Sequence, residues 1–108
     1  MKVSELTKKL GLQTLNPIYD KDINGVYISD MVSDIVAGIK PGNLLITIQL
    51  HKNLIATANL VDVSAIVYVR GKEPQSDVLD LANRAELTLF KTDMDAWNLA
   101  IKLHELGL

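Results

Sequence analysis

The sequence predicts an α/β fold, a three-layer sandwich with a mainly parallel sheet of about five strands. From Gly25 onward, segments typical of strands and segments typical of helices alternate four times. Two strand segments, Leu44–Ile48 and Ala65–Val69, are almost wholly apolar, as strands covered on both faces are. The chain has 108 residues, 48% of them hydrophobic. This size and composition predict one domain over residues 1–108, built around a single core.

Turn and capping residues divide the chain into elements. A short first helix ends before Gly11, a brief extended segment covers Gln13–Leu15, and Asn16–Asp22 is predicted as a turn region. Two more strands are expected, at Val26–Ser29 and Thr88–Phe90, besides the two apolar ones. The later helices follow the strands, and the last runs to about Leu106. The residues expected to cap helix N-termini are Ser4, Asp30, Asn53, Ser76, and Thr92 with Asp95 as a capping box.

The helix expected over Leu54–Val61 differs from the others because it is apolar on nearly every side. It contains Leu54, Ile55, Ala56, Ala58, Leu60 and Val61. A helix without a polar face is typical of the interior. The sequence therefore predicts that this helix is well buried.

Charge and composition exclude several classes of function. Eleven basic and thirteen acidic residues give a formal charge of −2. The only adjacent basic pair, Lys8-Lys9, is interpreted as the solvated face of a helix, so no nucleic-acid partner is expected. There is no cysteine, which excludes disulfides, thiol catalysis and cysteine-ligated clusters. No signal-peptide core and no segment of membrane-spanning length is recognisable, which predicts a cytoplasmic protein without a membrane partner.

Catalytic and metal motifs are also missing from the sequence. Gly71-Lys72 matches only the end of a phosphate loop and is interpreted as a turn. The histidines, His51 and His104, lie on different elements, and neither has a second ligand at helical spacing. Asp30 and Asp34 are one turn apart, which fits capping and dipole interactions better than acid–base chemistry. We therefore expect no catalytic residue, no metal and no cofactor.

One polar stretch predicts a ligand site. If the strand continues past Thr47, then Thr47, Gln49 and His51 point to one side, at the carboxyl end of a central strand. Open α/β sheets bind ligands at that end. The helix expected after Asn53 would direct its free N–H groups there and favour an anion. Ser29 and Asp30 follow the preceding strand and can contribute if the two strands are neighbours.

The alternative is that these residues have only structural roles. Strands commonly leave the core through polar residues, and capping alone accounts for Asn53 and for Ser29-Asp30. The sequence leaves both interpretations open.

Four segments resemble those of a known family. They are Gly25-Val26-Tyr27-Ile28-Ser29-Asp30, Thr47-Ile48-Gln49-Leu50-His51-Lys52-Asn53, Ile66-Val67-Tyr68-Val69-Arg70-Gly71-Lys72-Glu73-Pro74, and Asp95-Ala96-Trp97-Asn98-Leu99-Ala100. Their order and spacing resemble a DRTGG domain over nearly the whole chain. The name-giving motif itself departs, since it reads Asp22-Ile23-Asn24-Gly25-Val26.

The resemblance implies a fold like that of the N-terminal domain of HPr kinase. It also implies a regulatory, non-catalytic role and a homodimer, because DRTGG domains accompany nucleotide-sensing CBS domains or phosphotransacetylase. The first functional hypothesis combines this role with the polar strand end: a sensor that binds a small anionic metabolite or nucleotide, with Thr47, Gln49, His51, Asn53, Ser29 and Asp30 as candidate site residues. Stand-alone members are encoded near hydrogenase-like proteins, and some are described as iron–sulfur hydrogenases. The alternative function is therefore an accessory interaction module for a hydrogenase-like or signalling protein, without a cluster of its own, since the chain has no cysteine.

Overall fold

The computed structural model describes residues 1–108 and contains five strands and five helices. The strands are β1 (Gln13–Thr14), β2 (Gly25–Ile28), β3 (Asn43–Thr47), β4 (Ala65–Tyr68) and β5 (Thr88–Lys91). The helices are α1 (Val3–Leu10), α2 (Val32–Gly38), α3 (Asn53–Val61), α4 (Ser76–Arg84) and α5 (Ala96–Glu105). The predicted alternation from Gly25 onward is confirmed, with strand ends shifted by about one residue.

All strands form one sheet in the order β1-β5-β4-β3-β2. Strands β2 to β5 are parallel, and only the short β1 is antiparallel to its neighbour β5. The register pairs Ile28 with Ile46, Thr47 with Tyr68, and Tyr68 with Lys91. The carboxyl ends of β2 to β5 therefore lie side by side at one edge of the sheet.

Helices cover both faces of the sheet, which confirms the predicted three-layer sandwich. Alternate side chains of each strand enter opposite cores. Leu45 and Ile66 pack against α2, α3 and α4, in a cluster that includes Ile35, Leu54 and Val78. The neighbouring residues Leu44 and Ile46 pack against α1 and α5, through Leu6 and Leu99 among others.

Most of the predicted caps are wrong, and the side chains of Ser4 and Asp30 bond to other elements instead. Helix α1 begins one residue before Ser4, and the Ser4 hydroxyl donates to Asp20 at 3.0 Å. The cap positions of α2, α3 and α4 are Met31, Lys52 and Gln75, so Asp30, Asn53 and Ser76 do not cap. At α5 the Asp95 carboxylate does accept from Asn98 N at 2.8 Å, while Thr92 accepts only from Met94 N, so there is no capping box.

Helix α3 is less buried than its composition predicts. Leu54, Ile55 and Ala58 are buried between the sheet and the neighbouring helices. Leu60 lies on the opposite side and is 83% exposed. The prediction that this helix is well buried therefore holds for its inner side and is wrong for its outer side, where an apolar side chain faces solvent.

No helix of the protein combines the length and the apolar character that crossing a bilayer requires.

Candidate functional site

The carboxylate of Asp30 joins the carboxyl ends of β2 and β3. Its Oδ1 accepts hydrogen bonds from Thr47 Oγ1 at 3.2 Å and from Ile48 N at 2.9 Å. Ser29 lies beside this contact, and its backbone N–H donates to Ile46 O at 3.3 Å. Asp30 thus holds the end of β3 in place, which is why it is unavailable as a helix cap.

Beyond Thr47 the chain leaves the sheet through consecutive side-chain to backbone hydrogen bonds. Gln49 N donates to Thr47 Oγ1 at 3.0 Å, and His51 N donates to Gln49 Oε1 at 3.1 Å. Asn53 N donates to His51 Nδ1 at 3.1 Å, and Gln49 Nε2 reaches back to Asp30 O at 3.1 Å. We call these five residues (Asp30, Thr47, Gln49, His51, Asn53) the strand-end relay.

The relay fixes the orientation of the His51 ring. Nδ1 can accept from Asn53 N only if it carries a lone pair. The neutral ring therefore holds its proton on Nε2, which has no partner within the protein. His51 is exposed, so this N–H is free to donate to a bound molecule.

The expectation of free N–H groups at the start of α3 is wrong. Asn53 N is bonded to His51 Nδ1, Leu54 N to His51 O at 3.1 Å, and Ile55 N to Lys52 O at 3.1 Å. The His51 side chain folds back and takes the place that an anion would occupy at a helix N-terminus. An anionic group must therefore bind through side chains at this position.

An open cleft of about 440 Å³ lies between the β3–α3 and β4–α4 connections. Its lining residues are Gln49, Leu50, His51 and Lys52 from the first connection and Glu73, Gln75, Asp77 and Val78 from the second connection and the start of α4. We call it the strand-end cleft. Strands β2 to β5 follow one another in a single direction, so this cleft lies between two neighbouring crossovers and not at a reversal of strand order.

The charges around the strand-end cleft are of both signs. The Glu73 carboxylate is 2.9 Å from Lys91 Nζ, and this hydrogen bond raises the pKa of the Lys91 ammonium. Lys52 and Asp77 have no ion-pair partner. One cation and one anion are therefore available to a ligand from opposite walls of the cleft.

The structure brings five of the predicted site residues into one hydrogen-bonded series, but they do not line one surface. Gln49 and His51 line the strand-end cleft. Asp30 and Thr47 line a smaller pocket of about 120 Å³, beside Arg70 and the start of α5. Asn53 faces a groove between α3 and α4, and Ser29 lines none of these cavities.

The condition under which Thr47, Gln49 and His51 would point to one side is not met, because strand β3 ends at Thr47. Sequence reasoning also missed Lys52, Glu73 and Asp77. The register of β3 beside β4 was the missing information, since it brings the segments after both strands to one place.

The altered name-giving segment lies at the opposite edge of the sheet, at the amino end of β2. Asn24 Nδ2 donates to Pro41 O at 3.1 Å, and Asn43 Nδ2 donates to Asn24 Oδ1 at 3.1 Å. Ser64 Oγ donates to Asp22 O. The two asparagine bonds hold the α2–β3 turn against the start of β2, and the Ser64 bond joins the α3–β4 turn to the same segment. The segment therefore has a structural role in this chain and does not line the cleft.

Tyr68, the last residue of β4, is fully buried, and burial raises the pKa of its phenol above the ordinary value of 10.0. In the unfolded chain the phenol ionises from that value upward, while in the folded protein it stays neutral. Ionisation of this phenol therefore leaves the free energy of unfolding unchanged well below pH 10.0 and lowers it as the pH rises through and above that value.

We expect the free energy of unfolding of the wild type to fall by about 1.4 kcal/mol more than that of Tyr68→Phe between neutral pH and about pH 11. Urea titrations of both proteins across this range measure the difference. Lysine deprotonation affects both proteins equally and cancels. Parallel curves for the two proteins would contradict the burial of this phenol.

No three His, Cys, Asp or Glu side chains lie close enough together to hold a metal ion.

Comparison with known proteins identifies the family to which this chain belongs. The family model of the DRTGG domain matches residues 5–106. The chain belongs to the DRTGG domain family, as the four sequence segments predicted.

Among solved structures, the chain is similar to the CBS and DRTGG domains of the regulatory region of a Clostridium perfringens pyrophosphatase, complexed with its activator diadenosine tetraphosphate. The TM-score is 0.71 at 16% sequence identity, and the match covers 92% of this chain and 44% of that chain. At this identity the likeness concerns the fold, and this chain spans less than half of that structure. The search of curated proteins found no significant match.

Proposed function

We propose that this chain is a non-catalytic regulatory domain that senses a small anionic metabolite, in the first place a nucleotide, in the strand-end cleft. The observation that carries the proposal is the strand-end relay. It orients His51 so that a free Nε2–H stands on the wall of the cleft beside the unpaired ammonium of Lys52. Both groups donate to anionic oxygen, and charge-assisted hydrogen bonds of this kind are strong.

A nucleotide suits this cleft because it carries acceptors and donors together. Its phosphate oxygens can accept from His51 and Lys52. Its ribose hydroxyls or base amine can donate to Asp77, which has no ion-pair partner on the opposite wall. Leu50 and Val78 supply apolar surface between these polar groups.

The similar structure supports a nucleotide over other anions. That protein's DRTGG domain belongs to a regulatory region solved with an activator that is a dinucleotide. The same class of ligand is therefore the first to test with this chain.

We expect ATP, AMP or diadenosine tetraphosphate to raise the thermal midpoint of the wild-type protein in a saturable way, because a ligand that binds only the folded state stabilises it. Isothermal titration then gives the affinity of the strongest of the three. His51→Ala is expected to weaken that affinity by about 10-fold or more, as the loss of one hydrogen bond to a charged group does.

His104→Ala is the matched control, because His104 is exposed at the end of α5, far from the cleft along the chain. It should bind as the wild type does. Equal affinities of wild type and His51→Ala would contradict the site, and a flat titration of the wild type with all three nucleotides would contradict nucleotide sensing.

We further propose that two copies of the chain form a homodimer through the outer face of α5. Trp97 is 73% exposed and Ile101 is 39% exposed, and the two lie one helical turn apart. Large exposed apolar side chains grouped in this way are typical of protein interfaces.

Trp97→Ser is expected to convert a dimer into a monomer, because it removes the largest apolar side chain from this face. Size-exclusion chromatography with light scattering measures the mass at several concentrations. Leu60→Ser, on α3, removes another exposed apolar side chain and should leave the dimer intact. A dimeric Trp97→Ser would place the interface elsewhere, and a monomeric wild type would favour the accessory interaction module over the homodimer.

A further inference from the structure

The Tyr68 hydroxyl is the only buried side-chain nitrogen or oxygen without a hydrogen-bond partner. Buried polar groups in folded proteins are nearly always paired, because an unpaired one destabilises the fold. A phenylalanine at this position would fill the same core without that cost. Packing within the protein therefore does not account for a tyrosine in place of a phenylalanine at this position.

Tyr68 and the strand-end cleft lie at the same edge and on the same face of the sheet. Tyr68 ends β4, in register with Thr47 at the end of β3. Its side chain belongs to the core cluster on the face covered by α2, α3 and α4. Val78 is a member of this cluster and Leu50 packs against it, and both also line the cleft. These two side chains therefore belong both to the wall of the cleft and to the core layer that contains the Tyr68 ring.

Of these two residues, Leu50 is the one that secondary structure does not constrain. It is half-buried and lies in the connection between β3 and α3, outside any regular element. Side-chain bonds of its neighbour hold this connection, namely those from Gln49 Nε2 to Asp30 O and from His51 N to Gln49 Oε1. Val78, in contrast, is fixed in the first turns of α4.

We infer that a ligand of the strand-end cleft displaces Leu50 and accepts a hydrogen bond from the Tyr68 hydroxyl, which is its deepest polar contact. The inference rests on the proposed function and specifies an oxygen of the ligand, from a phosphate or a hydroxyl, as the group that enters furthest. The phenol is protonated at neutral pH, as a donor must be, and burial raises its pKa further above the ordinary value. Because Gln49 is bonded to Asp30, the movement of Leu50 is transmitted to the end of β2.

Tyr68→Phe tests this inference, because a structural and a ligand-binding hydroxyl give different results. The variant is expected to have a higher thermal midpoint than the wild type when free, since it lacks the unpaired group. It should bind the nucleotide about 10-fold more weakly, measured by isothermal titration with ATP, AMP and diadenosine tetraphosphate. Tyr27→Phe is the control, because the Tyr27 hydroxyl is already bonded to Asp34 Oδ2 at 3.0 Å. Its affinity should equal that of the wild type.

A Tyr68→Phe variant that binds as tightly as the wild type, while His51→Ala binds weakly, would overturn the role of Tyr68 and leave the proposed function intact. A wild type that binds none of the three nucleotides would overturn both. A weaker affinity together with a lower thermal midpoint would also count against the inference, because general destabilisation would then account for the loss.

Discussion

Replacing Asp30 with alanine is expected to lower the free energy of unfolding by about 2 kcal/mol and to weaken nucleotide binding by about 10-fold or more. The Asp30 carboxylate accepts from both Thr47 Oγ1 and Ile48 N, and hydrogen bonds to a charged acceptor each contribute about 1.5–3 kcal/mol when well ordered. Because Asp30 is exposed and water competes for its carboxylate, the expected loss in the free energy of unfolding is close to the value for one such bond and not for two. The loss of binding follows because Thr47 positions Gln49, which in turn positions His51.

Asp30→Asn is the matched control, since the amide keeps an Oδ1 that can accept both bonds. It should retain most of the stability and most of the affinity. Urea denaturation and isothermal titration measure the two effects on the same preparations. If Asp30→Ala loses stability but binds normally, the relay does not orient the site.

Replacing Asn16 with alanine is expected to lower the free energy of unfolding by about 2–3 kcal/mol. The Asn16 side chain bonds the segment before β2 to β5 and the end of α4. Its Oδ1 accepts from Leu89 N at 2.8 Å, and its Nδ2 donates to Leu87 O and Asn83 Oδ1, both at 2.9 Å. The alanine variant leaves the partly buried backbone groups of Leu89 and Leu87 unpaired, which costs more than the bonds themselves contributed.

Asn59→Ala is the control for this substitution, because Asn59 is exposed on α3 and its side chain makes no hydrogen bond. Its stability should stay within about 0.5 kcal/mol of the wild type. Thermal and urea unfolding compare the three proteins. Equal stability of Asn16→Ala and Asn59→Ala would show that the segment before β2 is held by other contacts.

The fold could be predicted from the sequence because apolar residues recur at regular spacing in its helices and strands. Burial of each element against the core requires this spacing. Alternate side chains of Leu44–Ile46 and Ala65–Val67 pack into the cores on the two faces of the sheet. The apolar character of both segments therefore predicted correctly that these strands are covered on both faces. Helix caps could not be predicted in the same way. Ser4 and Asp30 are residue types that suit an N-cap, but their side chains bond to Asp20 and to the end of β3, and only the tertiary structure shows this choice.

That Gln49 and His51 follow the end of a central strand was predictable from the sequence, but the geometry of the candidate site was not. Gln49 and His51 were identified because polar residues at the end of a buried strand must meet at one edge of the sheet. The direction of His51 depends on a turn that begins at Thr47, which breaks the alternation expected of a strand. The second wall of the cleft comes from Glu73 to Val78, and it is adjacent only because β3 and β4 are neighbours.

The most direct test of the central claim, that the strand-end cleft is the ligand site, is an amide NMR titration of the ¹⁵N-labelled protein with ATP and with diadenosine tetraphosphate. The predicted result is saturable shifts confined to the two connections that line the cleft, Gln49–Asn53 and Glu73–Val78, extending to Asp30 through the relay. Shifts concentrated at the amino end of β2, around Asp22–Val26, or no shifts with either nucleotide, would contradict it.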